Sequence, residues 1–291
     1  MTDWKNDLLR ELDEWNFNGE DAEFWWRDDD AVEPSEQLTT LLNLTDRFDI
    51  PVALAVIPAM VKESLAMALD DRSGKKAKVE VLIHGYQHLN HAPEGQKKQE
   101  LTSHYSLGNL SQEISEARNF IENHFASVAL PVMVPPWNRI DPEVFSLLLQ
   151  NGITGLSTFN PRQEKVVAEG YHYQLWQVNT HVDVIDWKNG RTFKSVDDIA
   201  LDIIRHLQMK RIGVVDATEA TGLLTHHLVH SEAGWEVLES LLNVMDDHPA
   251  VKWLSASQVF QLKTMEQISS DPEMDANAYD PLNSGLPFTA D

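Results

Sequence analysis

From residue 22 onward, short apolar runs of strand length alternate with longer stretches of helical periodicity, about eight times over. The strand-like runs are 23–27, 52–57, 79–83, 131–134, 153–157, 173–178, 222–225 and 251–254. Helical patterns fill 35–48, 111–125, 142–151, 196–209 and 231–245, and Pro34 and Pro142 sit where a helix start tolerates proline. Parallel strands need crossover connections, usually helices, so this rhythm predicts an α/β chain with a parallel sheet, closed as a barrel or wound open. Runs such as VALAVI are apolar at every position, as expected of strands covered on both faces. In a barrel of this kind, chemistry gathers just after the strands.

The 291 residues, 42% of them hydrophobic, suffice for one sizeable core. The expected domains are an N-terminal helix within 1–21, a barrel over 22–268 and a loosely attached acidic tail over 269–291. There are no cysteines, so disulfides, thiolate metal sites and cysteine nucleophiles are excluded. A formal charge of −23 and the lack of a basic stripe argue against nucleic acid and anionic lipid as partners. Neither a secretory leader nor an apolar run of about 20 residues is present, so a cytoplasmic chain without membrane contact is expected. Oligomeric state is not legible.

Five motifs carry chemistry, four of them at strand ends. WWRDDDA at 25–31 crowds three carboxylates, which repel one another and so need a reason to be there. Side chains alternate along extended backbone, so neighbouring aspartates are expected to diverge, one binding a cation and another acting as base. HGYQH at 84–88 follows a strand, and on a helical turn His84 and His88 would face one way and close on one ion. Imidazole and carboxylate together suit Zn²⁺. VPPWN at 134–138, DVIDW at 183–187 and LLTHH at 223–227 complete the set.

The order of these motifs resembles the polysaccharide deacetylases, the NodB-homology fold of carbohydrate esterase family four. Their pattern is Asp-Asp, HxxxH, Arg-x-Pro-aromatic, DxxDW and Leu-x-His. Here it reads Asp29-Asp30, His84 to His88, Pro136-Trp137, Asp183 to Asp186-Trp187 and Leu224-Thr225-His226, over roughly residues 22–260. The resemblance implies a distorted (β/α) barrel of about seven to eight units. It makes Asp29 the base and Asp30, His84 and His88 the ligands of a divalent metal, with Zn²⁺ the leading candidate. It makes His226 the acid, supported electrostatically by Asp183, and gives Trp137, Leu224 and Trp187 to the substrate: the Trp137 N–H to the oxyanion, Leu224 to the acyl methyl. Three departures mark a variant branch. Val134 stands where the family has an arginine that orients the aspartate, leaving Arg27 or Arg139 as substitutes. A third aspartate leaves Asp28-Asp29 as another register, and Ala31 replaces the usual glycine.

The implied activity is metal-dependent hydrolysis of an amide C–N bond, on an N-acetylated amino sugar or oligosaccharide. Two alternatives stand beside it: hydrolysis of a non-carbohydrate amide, cyclic imide or ureide, and a metal-binding pseudoenzyme used as a binding module. His181, His227 and His230 are read as pocket-lining or partly exposed, although His226 and His230 form a second HxxxH and His181 shares a strand face with Asp183.

Overall fold

The computed structural model describes residues 3–70, 72, 78–170 and 173–269. The strands are β1 (Ala22–Ala31), β2 (Val52–Val56), β3 (Val79–Ile83), β4 (Ala129–Met133), β5 (Gly155–Leu156), β6 (Val166–Glu169), β7 (Gln174–Gln177), β8 (Val182–Asp183), β9 (Ile185–Asp186), β10 (Thr192–Phe193), β11 (Thr221–Thr225) and β12 (Val251–Trp253). Ten of them form one sheet in the order β6-β7-β5-β4-β3-β2-β1-β11-β8, with β12 also on β1. Its pairings are parallel except for the β6–β7 hairpin.

The pleat sorts the side chains into two cores. Trp25, Ala53, Ala55, Leu82, Val132 and Val134 point inward and meet Ala256 and Phe260 of the short helix Ala256–Phe260. Phe260 sets its ring edge-on to Trp25 at 5.9 Å, which plugs the end of the barrel where the strands begin. Leu54, Val56, Val81 and Ile83 point outward into the larger core shared with the helices. Full burial of such a side chain is worth about 1.5–3 kcal/mol, so the apolar strands drive both layers together.

One extended segment, 174–184, closes the curl. Val178 and Thr180 donate their N–H groups to the carbonyls of Leu156 and Thr158 (3.0 and 3.1 Å), then His181 and Val184 donate to Gly222 and Leu224 (2.7 and 3.2 Å). β7 and β8 are thus pieces of one segment that serves both free edges of the sheet. A Cβ at position 222 would lie 2.6 Å from the Asn179 carbonyl oxygen, so the close approach needs glycine. The result is the expected distorted barrel.

The N-terminal helix, Trp4–Phe17, packs on helix Val196–Arg211 through fully buried Leu8 and Leu12 and a Glu11–Arg211 ion pair of 2.9 Å. At the other end, the Ser269 hydroxyl donates to Glu122 (3.0 Å), so the body runs through residue 269, and the rest of the tail lies outside the described residues. Helices Glu63–Asp70, Ala256–Phe260 and Met265–Ser269 carried too little periodicity to be expected, and 142–151 is a 3₁₀ turn followed by the short helix Phe145–Gln150. Among the described residues no helix is long and apolar enough to cross a membrane.

Candidate active site

β1 is longer than its apolar run and carries all three aspartates. Alternation sends Trp25, Arg27 and Asp29 inward and Asp28 outward. Arg27, fully buried, donates to Asp29 through Nε (2.8 Å) and Nη2 (3.0 Å). Its remaining N–H groups meet the Ser157 hydroxyl (2.6 Å), the Thr158 carbonyl (3.3 Å) and Asn138 Oδ1 (2.6 Å). Asp28 turns to the helix side, where it accepts from the Thr225 hydroxyl (2.6 Å), the His227 N–H (3.0 Å) and His227 Nδ1 (2.5 Å). Burial opposes its charge, but the His227 charge and these bonds hold the carboxyl below its ordinary range.

Strict alternation would send Asp30 outward as well. It does not, because Asp30 has left-handed backbone (φ 71°) and β1 spends three steps from Asp28 to Ala31 against two on β2, from Leu54 to Val56. This bulge returns the Asp30 carboxylate to the mouth of the barrel. The expectation that consecutive aspartates diverge therefore holds for Asp28 and fails for Asp29 and Asp30.

Asp30, His84 and His88 offer ligand atoms that all lie within 4.8 Å of one another. His84 Nε2 stands 3.2 Å and His88 Nε2 3.5 Å from Asp30 Oδ1, which is shielded from solvent and makes no hydrogen bond. Donor atoms on a tetrahedral ion with arms of about 2.0–2.1 Å sit roughly 3.3 Å apart, so the three residues fit a divalent metal. His84 Nδ1 donates to the Val134 carbonyl (2.9 Å), which leaves Nε2 with its lone pair toward Asp30. Position 134, which lacks the expected arginine side chain, serves the site through its backbone. Burial disfavours charge on His84, but the approach of the Asp30 carboxylate to 3.2 Å and the charges of Asp29 and Asp30 outweigh it and raise its pKa. His88 shifts the other way through burial and the His84 charge.

The residues 84–88 do not form a helical turn. They are a loop with left-handed backbone at Gly85 (φ 59°) and His88 (φ 58°), and their ends meet because the loop folds back. The Glu100 carboxylate accepts the N–H groups of Tyr86 (3.2 Å) and Gln87 (2.8 Å) inside it.

The His226 Nε2 lies 3.9 Å from Asp29 Oδ2, and the ring packs at 4.8 Å, edge to face, against Trp187. Trp187 Nε1 donates to Asp183 Oδ2 (2.7 Å), so Asp183 touches the indole, not the imidazole. Burial raises the Asp183 carboxyl above its ordinary value against the pull of the His226 charge. Leu224 is paired in register with Arg27 on one side and Asp183 on the other, which puts it on the inward face below the site. Trp137, on left-handed backbone, sets its ring 4.5 Å from that of His88. Arg139 donates instead to the Lys98 carbonyl (2.9 Å) and stays away from Asp29.

The other histidines are elsewhere. His227 belongs to Asp28, and His230 lies between Phe193 and Trp235 with ring centroids at 4.9 and 4.3 Å. His181 stacks on His206 at 3.8 Å and lies 3.2 Å from Glu219, in a buried cluster where β8 begins. A cavity of about 740 Å³, lined by Pro131, Thr154, Trp176 and Phe260, opens at the strand beginnings, far from this chemistry. A smaller one of about 350 Å³, lined by Asn138, Ile140, Phe145, Thr158 and Gln177, adjoins the site through Asn138 and Thr158. Sequence reasoning missed Glu100 and Ser157, which sit in no recognisable motif, and gave no role to Asn138, the last residue of VPPWN.

No protein-family model matches the chain, and no curated protein sequence does. Solved structures do. A protein described as a polysaccharide deacetylase from Mycobacterium smegmatis superposes with a TM-score of 0.57 at 13% identity, over 83% of this chain and 90% of that one. A peptidoglycan N-acetylglucosamine deacetylase gives 0.52 at 15% identity, over 84% and 90%. A peptidoglycan deacetylase from Bacillus subtilis gives 0.51 at 13%, over 89% and 98%. The chain has the fold of these deacetylases.

Proposed function

We propose that the chain is a metal-dependent hydrolase that cleaves an amide C–N bond, deacetylating an N-acetylated amino sugar or oligosaccharide. The observation that carries this reading is the convergence of an Asp30–His84–His88 trio with an Asp29/His226 pair at adjoining strand ends. Asp30, His84 and His88 would hold the ion, with Zn²⁺ the first candidate from an all-imidazole and carboxylate set. Such an ion would supply Lewis acidity toward the acyl carbonyl and toward the attacking water.

The protein's own groups divide the proton work. Asp29, clamped by Arg27 through both oxygens, is the base that takes the proton of the attacking water. His226, across 3.9 Å, gives a proton to the departing amine, which is otherwise a poor leaving group. Asp183 fixes Trp187, and Trp187 fixes the imidazole. Leu224 offers an apolar floor to the acyl methyl, and the Trp137 N–H is the oxyanion donor. Exposed Trp187 and half-buried Trp137 flank the mouth, where flat apolar faces suit sugar rings. The similar structures named for N-acetylglucosamine and peptidoglycan support the saccharide class. Val134 stands where the family has an arginine, but Arg27 already occupies the carboxylate that such an arginine would orient, which counts against the pseudoenzyme alternative.

The deciding assay measures acetate released from N-acetylglucosamine oligosaccharides by protein reconstituted with Zn²⁺ or Co²⁺. Release that stops on chelation and returns with metal is the expected result. No release from these or simple acetamides, by metal-loaded protein, would overturn the reading.

A further inference from the structure

Glu100 lies in the charged stretch QKKQE, where a solvated side chain would be ordinary, yet it is fully buried. Its neighbours explain how it comes to be there. The His91 N–H donates to the Gln99 carbonyl (2.9 Å), His91 Nδ1 lies 3.1 Å from the Glu100 carbonyl, and Leu101 forms a bridge with Ile140. Residues 99–101 are therefore wedged between the loop after β3 and the loop after β4, and the carboxylate projects into the first of them.

Within that loop, Oε1 accepts both the Tyr86 and Gln87 N–H groups. Oε2 makes no hydrogen bond and sits where a Cβ on residue 85 would come within 2.1 Å, beside the Pro136 ring that the same Cβ would meet at 2.7 Å. A helical turn would have brought residues four apart together, although its first N–H groups, those of Tyr86 and Gln87 included, would still have needed acceptors from outside. Here the turn is absent, and His88 adopts left-handed backbone, which is strained for a residue with a Cβ. Something outside the loop must hold it: the His84 and Gly85 N–H groups donate to the Val56 and Val134 carbonyls (2.8 and 3.2 Å) and the Tyr86 carbonyl accepts from Ala59 (3.0 Å), while the N–H groups of Tyr86 and Gln87 at its tip converge on one carboxylate oxygen.

We propose that Glu100 is the positioning residue of the metal loop, fixing the approach of His88 to His84 and Asp30. Its hydrogen bonds go to none of the three but to the backbone between them. A carboxylate can serve two donors at one oxygen where no helix supplies acceptors, and Gly85 is required because Oε2 fills the space of its side chain. The proposal rests on the metal reading above.

The test compares Glu100→Met, which keeps length and loses the acceptor, with Glu100→Gln, which keeps an acceptor oxygen. Co²⁺ affinity and the visible Co²⁺ spectrum are read on full-length protein, with metal-free melting as the check on folding. Glu100→Met should bind Co²⁺ about 10- to 100-fold more weakly with an altered spectrum, the usual loss for a supporting residue, and Glu100→Gln should recover most of both. Should Glu100→Met fail to melt cooperatively, Glu100→Asp, which keeps the charge and withdraws the acceptor by one methylene, takes its place with the same expected loss. Wild-type affinity and spectrum in the acceptor-free variant would overturn the role of Glu100 and leave the metal site standing. A wild-type protein that binds no Co²⁺ would overturn both.

Discussion

Arg27 grips Asp29 from two residues back along the same strand, with Nε and Nη2 on the two carboxylate oxygens at 2.8 and 3.0 Å. The pleat makes this possible, since residues i and i+2 share a face. A guanidinium fork matches a carboxylate edge to edge, so the clamp fixes the plane of the carboxylate as well as its place.

Arg27→Lys keeps the charge and loses the fork. kcat should fall about 10²-fold, with KM and metal content near wild type, as expected when a reacting group is misplaced. Arg139→Met, which gives up only a bond to the Lys98 carbonyl, should leave kcat unchanged. Steady-state kinetics on both variants would show it, and a larger loss in Arg139→Met would move the clamp there.

The three aspartates should separate by phenotype. Asp30→Asn should lose most of the metal, as should His84→Ala and His88→Ala, measured by elemental analysis, whereas His230→Ala should keep it. Asp29→Asn should keep the metal and lose about 10²- to 10⁴-fold in kcat. Asp28→Asn should lower the melting temperature instead, because it weakens a buried pair with His227. A metal-free Asp29→Asn protein with an active Asp30→Asn would shift the register back by one.

His226→Ala should cut amide turnover by about 10²- to 10⁴-fold without loss of metal, and cut activated-ester turnover less, since that leaving group needs little protonation. His227→Ala should chiefly destabilise the protein through Asp28. Equal losses on amide and ester in His226→Ala would make the residue a binding group.

Acid should destabilise the fold in part through His230. Burial, with the His226 and His227 charges and against the pull of Asp28, lowers its pKa from 6.5 to about 4. Between those values the unfolded chain holds more protons, so stability falls as pH falls. The contribution is present above pH 6.5 and lost by about pH 4, and at most is worth roughly 3 kcal/mol. His230→Leu, which also removes two buried nitrogens without partners, should flatten the fall in unfolding free energy between pH 7 and pH 4.5. An unchanged slope in urea titrations would place the acid sensitivity in other groups.

The sequence by itself determined a parallel α/β sheet and the residue types that gather at its strand ends. Strand–helix alternation is local, and runs such as VALAV tolerate burial on both faces, so parallel strands and their ends could be read directly. His84 and His88 could be picked out because they follow a strand at ligand spacing, whereas the choice of Asp30 among three aspartates came from the resemblance to the deacetylase motifs.

What the tertiary structure decided is how those residues are aimed. Asp30 faces the histidines because its backbone is left-handed at a bulge against β2, a handedness that alternation along β1 predicts wrongly. His84 and His88 meet through a loop held by Glu100, where residue spacing suggested a helical turn. Arg27 rather than Arg139 serves Asp29, and Asn138, Ser157 and Thr158 anchor it from segments 111 to 131 positions away. Orientation of this kind depends on register and on buried bonds between distant segments. No local pattern records those, because each partner alone is an ordinary polar residue whose role exists only once the sheet has curled and brought the pair together.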